Sequence, residues 1–414
     1  MRKNQTGQVL VSTALALVVL LGFSGLGIDM GVLRYKKRLQ QTAADGAAIA
    51  GATNLNYGGV TTGAQNAASA NGFADSSGAT GCPAAVGCVT VTVNNPPATG
   101  PHAGNNKYVE AIVTAVQPTY FVRIFGVSRE SVVARAVATN VSGGANSGCL
   151  FTLGSPASSI EGININGNAT LNAPTCGIVD NGNFNTKGNA LTVSAGTFGT
   201  AGDWKKSGPG GTVTCTDAPT SCPSIDMPAT GDPLAYLTPP CSPCTGGTAL
   251  STNSNMTINP GTYSSISIGP ANVVFSPGTY IINGAGGLSI GANATVSGTG
   301  VTFYLTNNAT VSMVGTPTLQ FTAPTSGQYA GILFYQDPND TVGPSFGGNS
   351  STFYDGVLYF PKSQVTFFGN STIGDVAIVV ADALALSGHP TVNLLGAAGL
   401  GPGVNIVTRA ILVE

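Results

Sequence analysis

Charge is scarce in this chain: Asp, Glu, Lys and Arg make up 8% of its 414 residues, against about 25% in an average soluble domain. That scarcity argues against a cytosolic housekeeping enzyme. Histidine occurs only as His102 and His389, too few for a histidine-rich zinc site. Tryptophan occurs once, at Trp204. No Walker-type loop, nucleophile elbow or HExxH helix is present, so nucleotide chemistry has no motif to carry it. Residues 1–145 carry 10 Lys/Arg and 5 Asp/Glu, whereas residues 146–414 carry 5 and 12. An acidic, sparsely charged rear half would not hold a polyanion, so nucleic acid is not an expected partner. No cofactor and no metal are expected.

What is abundant points elsewhere. Glycine supplies 58 residues and 42% of the chain is apolar, without a G-X-Y period. Collagen and plain disorder both fit poorly, and a turn-dense, β-rich packed body fits better. Eight cysteines fall as close neighbours, Cys82 with Cys88, Cys149 with Cys176, Cys215 with Cys222, and Cys241 with Cys244. They are candidate disulfides and suggest an oxidising compartment. Spacing does not fix their connectivity, and neighbour pairing is the least assuming choice. The Cys241-Ser-Pro-Cys244 spacing keeps zinc as a rival, without a second C-x-x-C or a His pair to complete it.

Val9 to Ile28 is twenty residues without a charge, the length a helix needs to cross a hydrocarbon core of about 30 Å. It reads as a transmembrane helix. A cleavable signal peptide is the competing reading, with Arg2 and Lys3 before the run and Gly22-Phe-Ser24 as its cleavage site. Arg34, Lys36, Lys37 and Arg38 outnumber Arg2 and Lys3, so the positive-inside rule would leave the body in the cytoplasm. Four near pairs of cysteines argue the opposite way and weigh more. The basic cluster Arg34, Lys36, Lys37 and Arg38 is then expected at the lipid headgroups.

The helical pattern continues past the membrane. Val32, Tyr35, Leu39, Thr42, Gly46 and Ile49 recur at three- and four-residue steps, with an Ala stripe at Ala43, Ala44, Ala47, Ala48 and Ala50. Small side chains such as Ala43, Ala47 and Ala50 let a sheet or partner helix approach closely. A second helix is expected over Ala64 to Ala70. Strands are expected at Cys88 to Val93, Lys107 to Gln117 and Arg129 to Asn140, with a helical turn within Pro118 to Gly126. The expected division is residues 1–52 as membrane helix and its continuation, and 53–145 as a small pilin-like α+β unit.

Gly7-Gln8, the apolar run, Gly25-Leu-Gly-Ile-Asp29-Met-Gly31, Arg38-Leu-Gln40 and Ala43-Ala-Asp-Gly-Ala-Ala-Ile-Ala-Gly-Ala52 resemble the N-terminal region of TadE/TadG-like Flp pilus-assembly proteins. The resemblance is most specific over residues 6–52 and does not reach the rear half. It implies a single-pass bacterial inner-membrane protein of the tight-adherence (type IVb-like) pilus system, with its bulk in the periplasm or at the cell surface. Its implied partners are inner-membrane lipid and other pilus-assembly components. Prepilins of this system carry Glu five residues after the cleaved Gly, whereas Gly7 is followed there by Ser12. The chain therefore resembles the unprocessed TadG-like member, and its anchor is expected to stay.

From residue 146 onward short elements return. Asn259-Pro-Gly-Thr-Tyr263 reappears as Ser276-Pro-Gly-Thr-Tyr280, and Asn168-Ala-Thr170 as Asn293-Ala-Thr295 and Asn308-Ala-Thr310. These Asn-x-Thr triplets have the form of glycosylation sequons, but their recurrence at turns marks them as structural. Alternating strands lie between, among them Ser265 to Ile268, Val273 to Phe275, Leu288 to Ile290, Val301 to Leu305 and Val376 to Val380. The fold class is mixed: a long N-terminal helix with a small α+β unit, then an all-β domain over 146–414. A β-solenoid is favoured for that domain over a β-sandwich, since stacked turns build a core with little charge. Residues 201–250 are expected to be a Cys/Pro-rich insertion, with Trp204, Lys205 and Lys206 as a candidate contact site. A solvated loop whose Trp204 plugs the solenoid end is the favoured reading over that contact.

Enzyme activity is not expected. A solenoid enzyme needs paired carboxylates or carboxylate-bound calcium beside a basic residue, and the candidates are Asp337, Asp340, Asp355, Asp375, Asp382, Lys362, His389 and Arg409. Asp337-Pro-Asn-Asp340 reads as a turn. Asp355 and Asp375, about one repeat apart, are the best-placed pair. The Pro-Gly-Thr-Tyr turns and Gly331-Ile-Leu-Phe-Tyr-Gln336 resemble ice-binding adhesin-type solenoid domains over residues 259–336. The faces of that family are flat and Thr-rich, and the linear sequence here offers no regular T-x-T column. The expected role is a non-enzymatic anchor or scaffold in Flp pilus assembly. The alternative is a surface adhesin or carbohydrate-binding solenoid.

Overall fold

An uncharged run followed by Ala-rich residues, with no proline in either, favours a single unbroken helix. Helix α1 spans Thr6–Thr53, 48 residues, in the computed structural model, which describes residues 6–55, 58–142, 148–157, 162–188, 190–208, 211–217, 222–347, 351–400 and 408–414. It is the one described helix long and apolar enough to cross a membrane. The chain divides into two units, Met1–Val141 with Arg409–Glu414, and Ser142–Thr408.

In the first unit, α1 is followed by α2 (Val60–Ala70) and strands β1 (Val89–Asn94), β2 (Tyr108–Pro118) and β3 (Arg129–Ser142). The strands pair antiparallel, Val91 opposite Val113 and Val113 opposite Ala134. The Ala stripe of α1 lies on this sheet: Ala43, Ala44, Ala47, Ala48 and Ala52 are wholly buried with Ala111, Val113 and Ala136. Small residues are needed where a Cβ added at Gly51 would stand 2.8 Å from Val109. Two glutamines tie helix to sheet, Gln40 Nε2 donating to the Val132 carbonyl at 2.9 Å and Gln41 Nε2 to that of Arg135 at 2.9 Å. Disulfide Cys82–Cys88 closes the loop before β1.

The end of the chain returns to this unit. Strand Thr408–Leu412 takes its place beside β3, and the Val137 N–H donates to the Glu414 carbonyl at 3.0 Å. The last residues thus complete the front sheet instead of extending the rear domain to 414. The free edge of β3 needs backbone partners, and no local pattern in the sequence announces which strand supplies them.

The second unit is all β. Twenty-two of the described strands form one sheet, and every described pairing within it is parallel. Val273 pairs with Val296 and Val296 with Leu319; Tyr280 pairs with Phe303 and Phe303 with Phe334; Leu288 pairs with Val311. An antiparallel sandwich, the alternative open from sequence, does not have this pairing. Strands such as Asn272–Phe275 and Thr318–Thr322 alternate buried apolar and outward residues, whereas Val301–Thr306 and Ile332–Gln336 are buried throughout, and Phe275, Phe303, Phe321 and Phe334 stack into one aromatic core.

The repeated motifs acquire mechanical roles. Tyr263 and Tyr280 close their Pro-Gly-Thr-Tyr turns by reaching back to carbonyls four residues earlier, Tyr263 Oη donating to Asn259 O at 2.7 Å and Tyr280 Oη lying 2.6 Å from Ser276 O. In the Asn-Ala-Thr turns, Asn293 and Asn308 adopt φ of 62° and 63°, a region Asn tolerates better than most residues. The following Ala294 and Ala309 then point into the core.

The stacking order does not follow the chain. Segment 148–215 pairs onward within itself, Leu171 with Val193 and Val193 with Val213. Segment 248–394 does the same from Leu250 to Val392. The two meet where Val379 pairs with Leu150, Leu384 with Ile163 and Val392 with Leu171. Residues 201–250 are therefore not one insertion: Trp204–Ser207 pairs with Phe184–Lys187, and Thr212–Cys215 with Thr192–Ala195. The part between the two segments is a strap. Tyr359 Oη donates to Asp232 Oδ2 at 2.7 Å, Tyr335 Oη to Leu237 O at 3.0 Å, and Asn283 Nδ2 to Cys244 O at 3.1 Å.

Candidate functional site

The front unit presents the membrane-length part of α1 bare. Leu10, Leu15, Val18, Leu20 and Phe23 are 64–74% exposed, which an aqueous helix of this length would not sustain. Arg34, Lys37 and Arg38 are exposed and Lys36 half-buried on the next turns of the same helix. Of the expected packing stripe, Ala43 and Ala47 are buried and Ala50 is half-buried. The row Tyr35, Leu39, Thr42 and Ile49 instead faces away from the sheet and is exposed. The sheet takes the narrower Ala side because only there can the backbones approach.

All four neighbour pairs of cysteines are bonded, with S–S separations of 1.98 Å for Cys149–Cys176, 2.04 Å for Cys215–Cys222 and 2.01 Å for Cys241–Cys244, and Cys82–Cys88 likewise. Cys241 and Cys244 thus staple the strap to itself and offer no thiolate pair to zinc. Among the described residues no three His, Cys, Asp or Glu side chains gather as a metal site.

Trp204 stands on a strand, not in a loop. Its ring stacks on Phe184 at 5.7 Å, its indole N–H donates to Thr186 Oγ1 at 3.2 Å, and Lys206 Nζ lies 4.4 Å from the ring centroid. Half-buried against the core, it covers the aromatic stack at its last described strand. Lys205 and Lys206 are exposed beside it.

The carboxylates are largely occupied by the backbone. Asp337 accepts from Tyr304 Oη at 2.8 Å and from Asn339 N at 2.9 Å, and Asp340 accepts from Asn308 N at 3.0 Å, so this segment is a turn. Burial works to raise the pKa of Asp337, but the Asn339 and Tyr304 donors outweigh it and hold the group below its usual range. Asp355 lines a small pocket of about 200 Å³ with Thr322, Thr325 and Leu400. Register places Asp375 beside it, between Gly374 and Val376 opposite Phe353 and Gly356; the Asp375 side chain lies outside the described residues, as does that of Arg409. A deeply buried carboxylate of the β-rich unit is one that sequence reading passed over. Asp180, 1% exposed, accepts from Gly182 N at 2.9 Å, and Thr200 Oγ1 lies 3.2 Å from its Oδ2 but 2.8 Å from Gly182 O. Burial pushes its pKa up. Thr152 Oγ1 also donates to its Oδ1, so both carboxyl oxygens are held by hydroxyl and backbone contacts within the core.

Sequence reading also missed an ordered polar column. Thr295 pairs with Thr318, Thr318 with Ser351, Ser351 with Thr372, Thr372 with Thr391, Thr391 with Thr170, Thr170 with Thr192, and Thr192 with Thr212. Thr295, Thr318, Thr372, Thr192 and Thr212 are exposed and Thr391 and Thr170 half-buried. Two residues on lie Ser297 and Gln320, then Phe353 and Gly374, which interrupt the row, then Asn393, Asn172, Ser194 and Thr214. The column is a single file of Thr and Ser, and no regular T-x-T pair runs along it. The connections between strands vary in length, so a column regular in space, at about 4.8 Å per strand, has no regular period in sequence.

No curated protein and no solved structure matches the chain. Its front is matched: residues 7–54, which are the membrane-length part of α1 and its Ala-rich continuation, fit the family model Tad, described as "Putative Flp pilus-assembly TadE/G-like".

Proposed function

We propose that this chain is a membrane-anchored, non-enzymatic component of Flp pilus assembly, with its bulk outside the cytoplasm and a β-solenoid body serving as scaffold. The observation that carries the reading is α1. One unbroken helix presents a bare apolar first half and packs its second half on an antiparallel sheet, and the match to the Tad model covers that helix. Four disulfides favour an oxidising compartment for the body. The solenoid reading rests on ladders of parallel strands whose partners lie about 20 residues on, the pattern of stacked turns. Inner-membrane lipid and other pilus-assembly components are the proposed partners. Electron microscopy of a strain lacking the chain, beside its complemented strain, tests the role: pili should vanish and return. Pili unchanged by the loss reject it.

The Thr column favours a second reading, in which the body binds a carbohydrate or other extended surface ligand. A row of outward hydroxyls at about 4.8 Å matches repetitive polymers better than small molecules. Replacing exposed Thr295, Thr318 and Thr372 together with lysine should abolish cell attachment while leaving pili intact. Attachment unchanged by the triple substitution rejects this reading.

A further inference from the structure

The chain carries a second apolar element beside its helix. Between β2 and β3 the segment Thr119–Ser128 folds into a knuckle around a 3₁₀ turn, Val122–Phe125. Ile124 is 80% and Phe125 81% exposed, the two most exposed large apolar residues described, and Tyr120, Phe121 and Val127 are 40–58% exposed. The knuckle is fixed, not loose. Asp29, 3% exposed, accepts the backbone N–H groups of Tyr120, Phe121 and Val122 at 3.0, 2.8 and 2.7 Å. Phe121 covers Gly25, where an added Cβ would stand 2.7 Å from its ring. This accounts for two residues of the Gly25-Leu-Gly-Ile-Asp29 run that hydrophobicity alone does not explain.

We infer that this knuckle inserts into the bilayer as a second membrane anchor, its apolar side chains occupied by lipid acyl chains. The inference rests on the membrane reading of α1. An apolar groove of about 690 Å³ is lined jointly by Val18, Leu21, Gly22 and Leu26 of α1 and by Ile124 and Phe125, so the knuckle surface continues the bare helix surface without a polar break. Level with Leu21 to Gly25, it lies below the end of the uncharged run at Ile28. At 1.5 Å per residue that is about 5–10 Å inside the apolar zone. Arg123, on the 3₁₀ turn, and Arg129, at the start of β3, are exposed; their long side chains reach the headgroups while the stems remain apolar. The carboxylate of Asp29 sits where helix leaves hydrocarbon, its charge met by three N–H donors that would otherwise face the bilayer edge unpaired.

The test uses the full-length chain in phosphatidylcholine–phosphatidylglycerol vesicles containing brominated acyl chains, with Trp204→Phe removing the native indole. Phe125→Trp reports the knuckle and Leu15→Trp the helix. Emission at both positions should shift to the blue, and brominated chains should remove most of it. Quenching at Leu15→Trp without quenching at Phe125→Trp overturns the inference and leaves the anchor. Blue-shifted but unquenched emission at Phe125→Trp means that protein, a second copy or another helix, covers the knuckle, and also overturns it. Quenching at neither position rejects the membrane reading itself. Adding Asp29→Ala to Phe125→Trp should cut the quenching several-fold while Leu15→Trp stays quenched; equal quenching removes Asp29 from its positioning role.

Discussion

Phe334→Ala is expected to lower the stability of the β-rich unit by about 3–5 kcal/mol, the usual cost of emptying an aromatic site in a packed core. Phe334 is wholly buried. Its ring stacks on Phe303 at 5.2 Å and touches Phe346, Tyr354 and Phe360 at 5.9, 6.3 and 6.3 Å. These neighbours lie on paired strands of the parallel sheet, so none can collapse into the void without shifting its own ladder register. A unit with so few charges draws its stability mainly from this apolar column and its backbone ladders. Trp204, the single tryptophan, sits on Phe184 in the same unit and reports its unfolding by fluorescence in a denaturant titration. A loss below about 1 kcal/mol would show that the site repacks and that the column is not a shared core.

Arg135→Ala is expected to destabilise the front unit by about 3 kcal/mol, because it strands a buried carboxylate. The Glu110 side chain is fully buried and meets Arg135 Nε at 2.5 Å. It also accepts from Asn94 Nδ2 at 2.7 Å and Ala98 N at 3.1 Å. Arg135 further bonds Glu414 and donates to the Thr99 carbonyl at 2.8 Å, so it fastens the end of the chain to β3. Burial acts to raise the Glu110 pKa, yet the Asn94 and Arg135 donors overcome it and hold the group low. A depressed carboxyl stabilises above the unfolded pKa of about 4.3 and loses that contribution as pH falls through the folded value. Hydrogen exchange at β2 and β3 amides measures the effect at neutral pH. The double variant Glu110→Gln/Arg135→Ala should recover most of the loss; if it does not, the cost lies in lost packing, not in an unpaired charge.

The two readings of the body differ in what they ask of it. A scaffold needs only the ladders and the strap, both secured by backbone pairing and by the tyrosines at 335 and 359. An adhesin needs the Thr column, whose side chains point away from that core and contribute little to it. Substitutions in the column and in the aromatic stack therefore separate binding from folding.

Much of this architecture was legible in the sequence because it is locally encoded. Helix α1 follows from an uncharged run joined to an Ala stripe. The strands β1 to β3 begin and end within a residue or two of where β-branched enrichment places them, and the disulfides join the cysteines nearest in sequence. The Asn-Ala-Thr and Pro-Gly-Thr-Tyr turns are likewise legible, since a left-handed Asn and a back-bonded Tyr are short-range requirements. Three features were decided only in the tertiary structure. Segment 148–215 stacks beyond segment 372–394, because parallel strands pair with whichever edge is open, and edges carry no sequence label. The same rule sends strand Thr408–Leu412 back to β3. The Thr column forms because register aligns residues across connections of unequal length: Met256 meets Val273, yet Thr318 meets Ser351. In strands with one face to solvent, such as Asn272–Phe275 and Thr318–Thr322, a period of two in the sequence sets which side chains point inward; which outward faces become neighbours was settled by pairing between distant strands, where backbone hydrogen bonds are indifferent to side-chain identity.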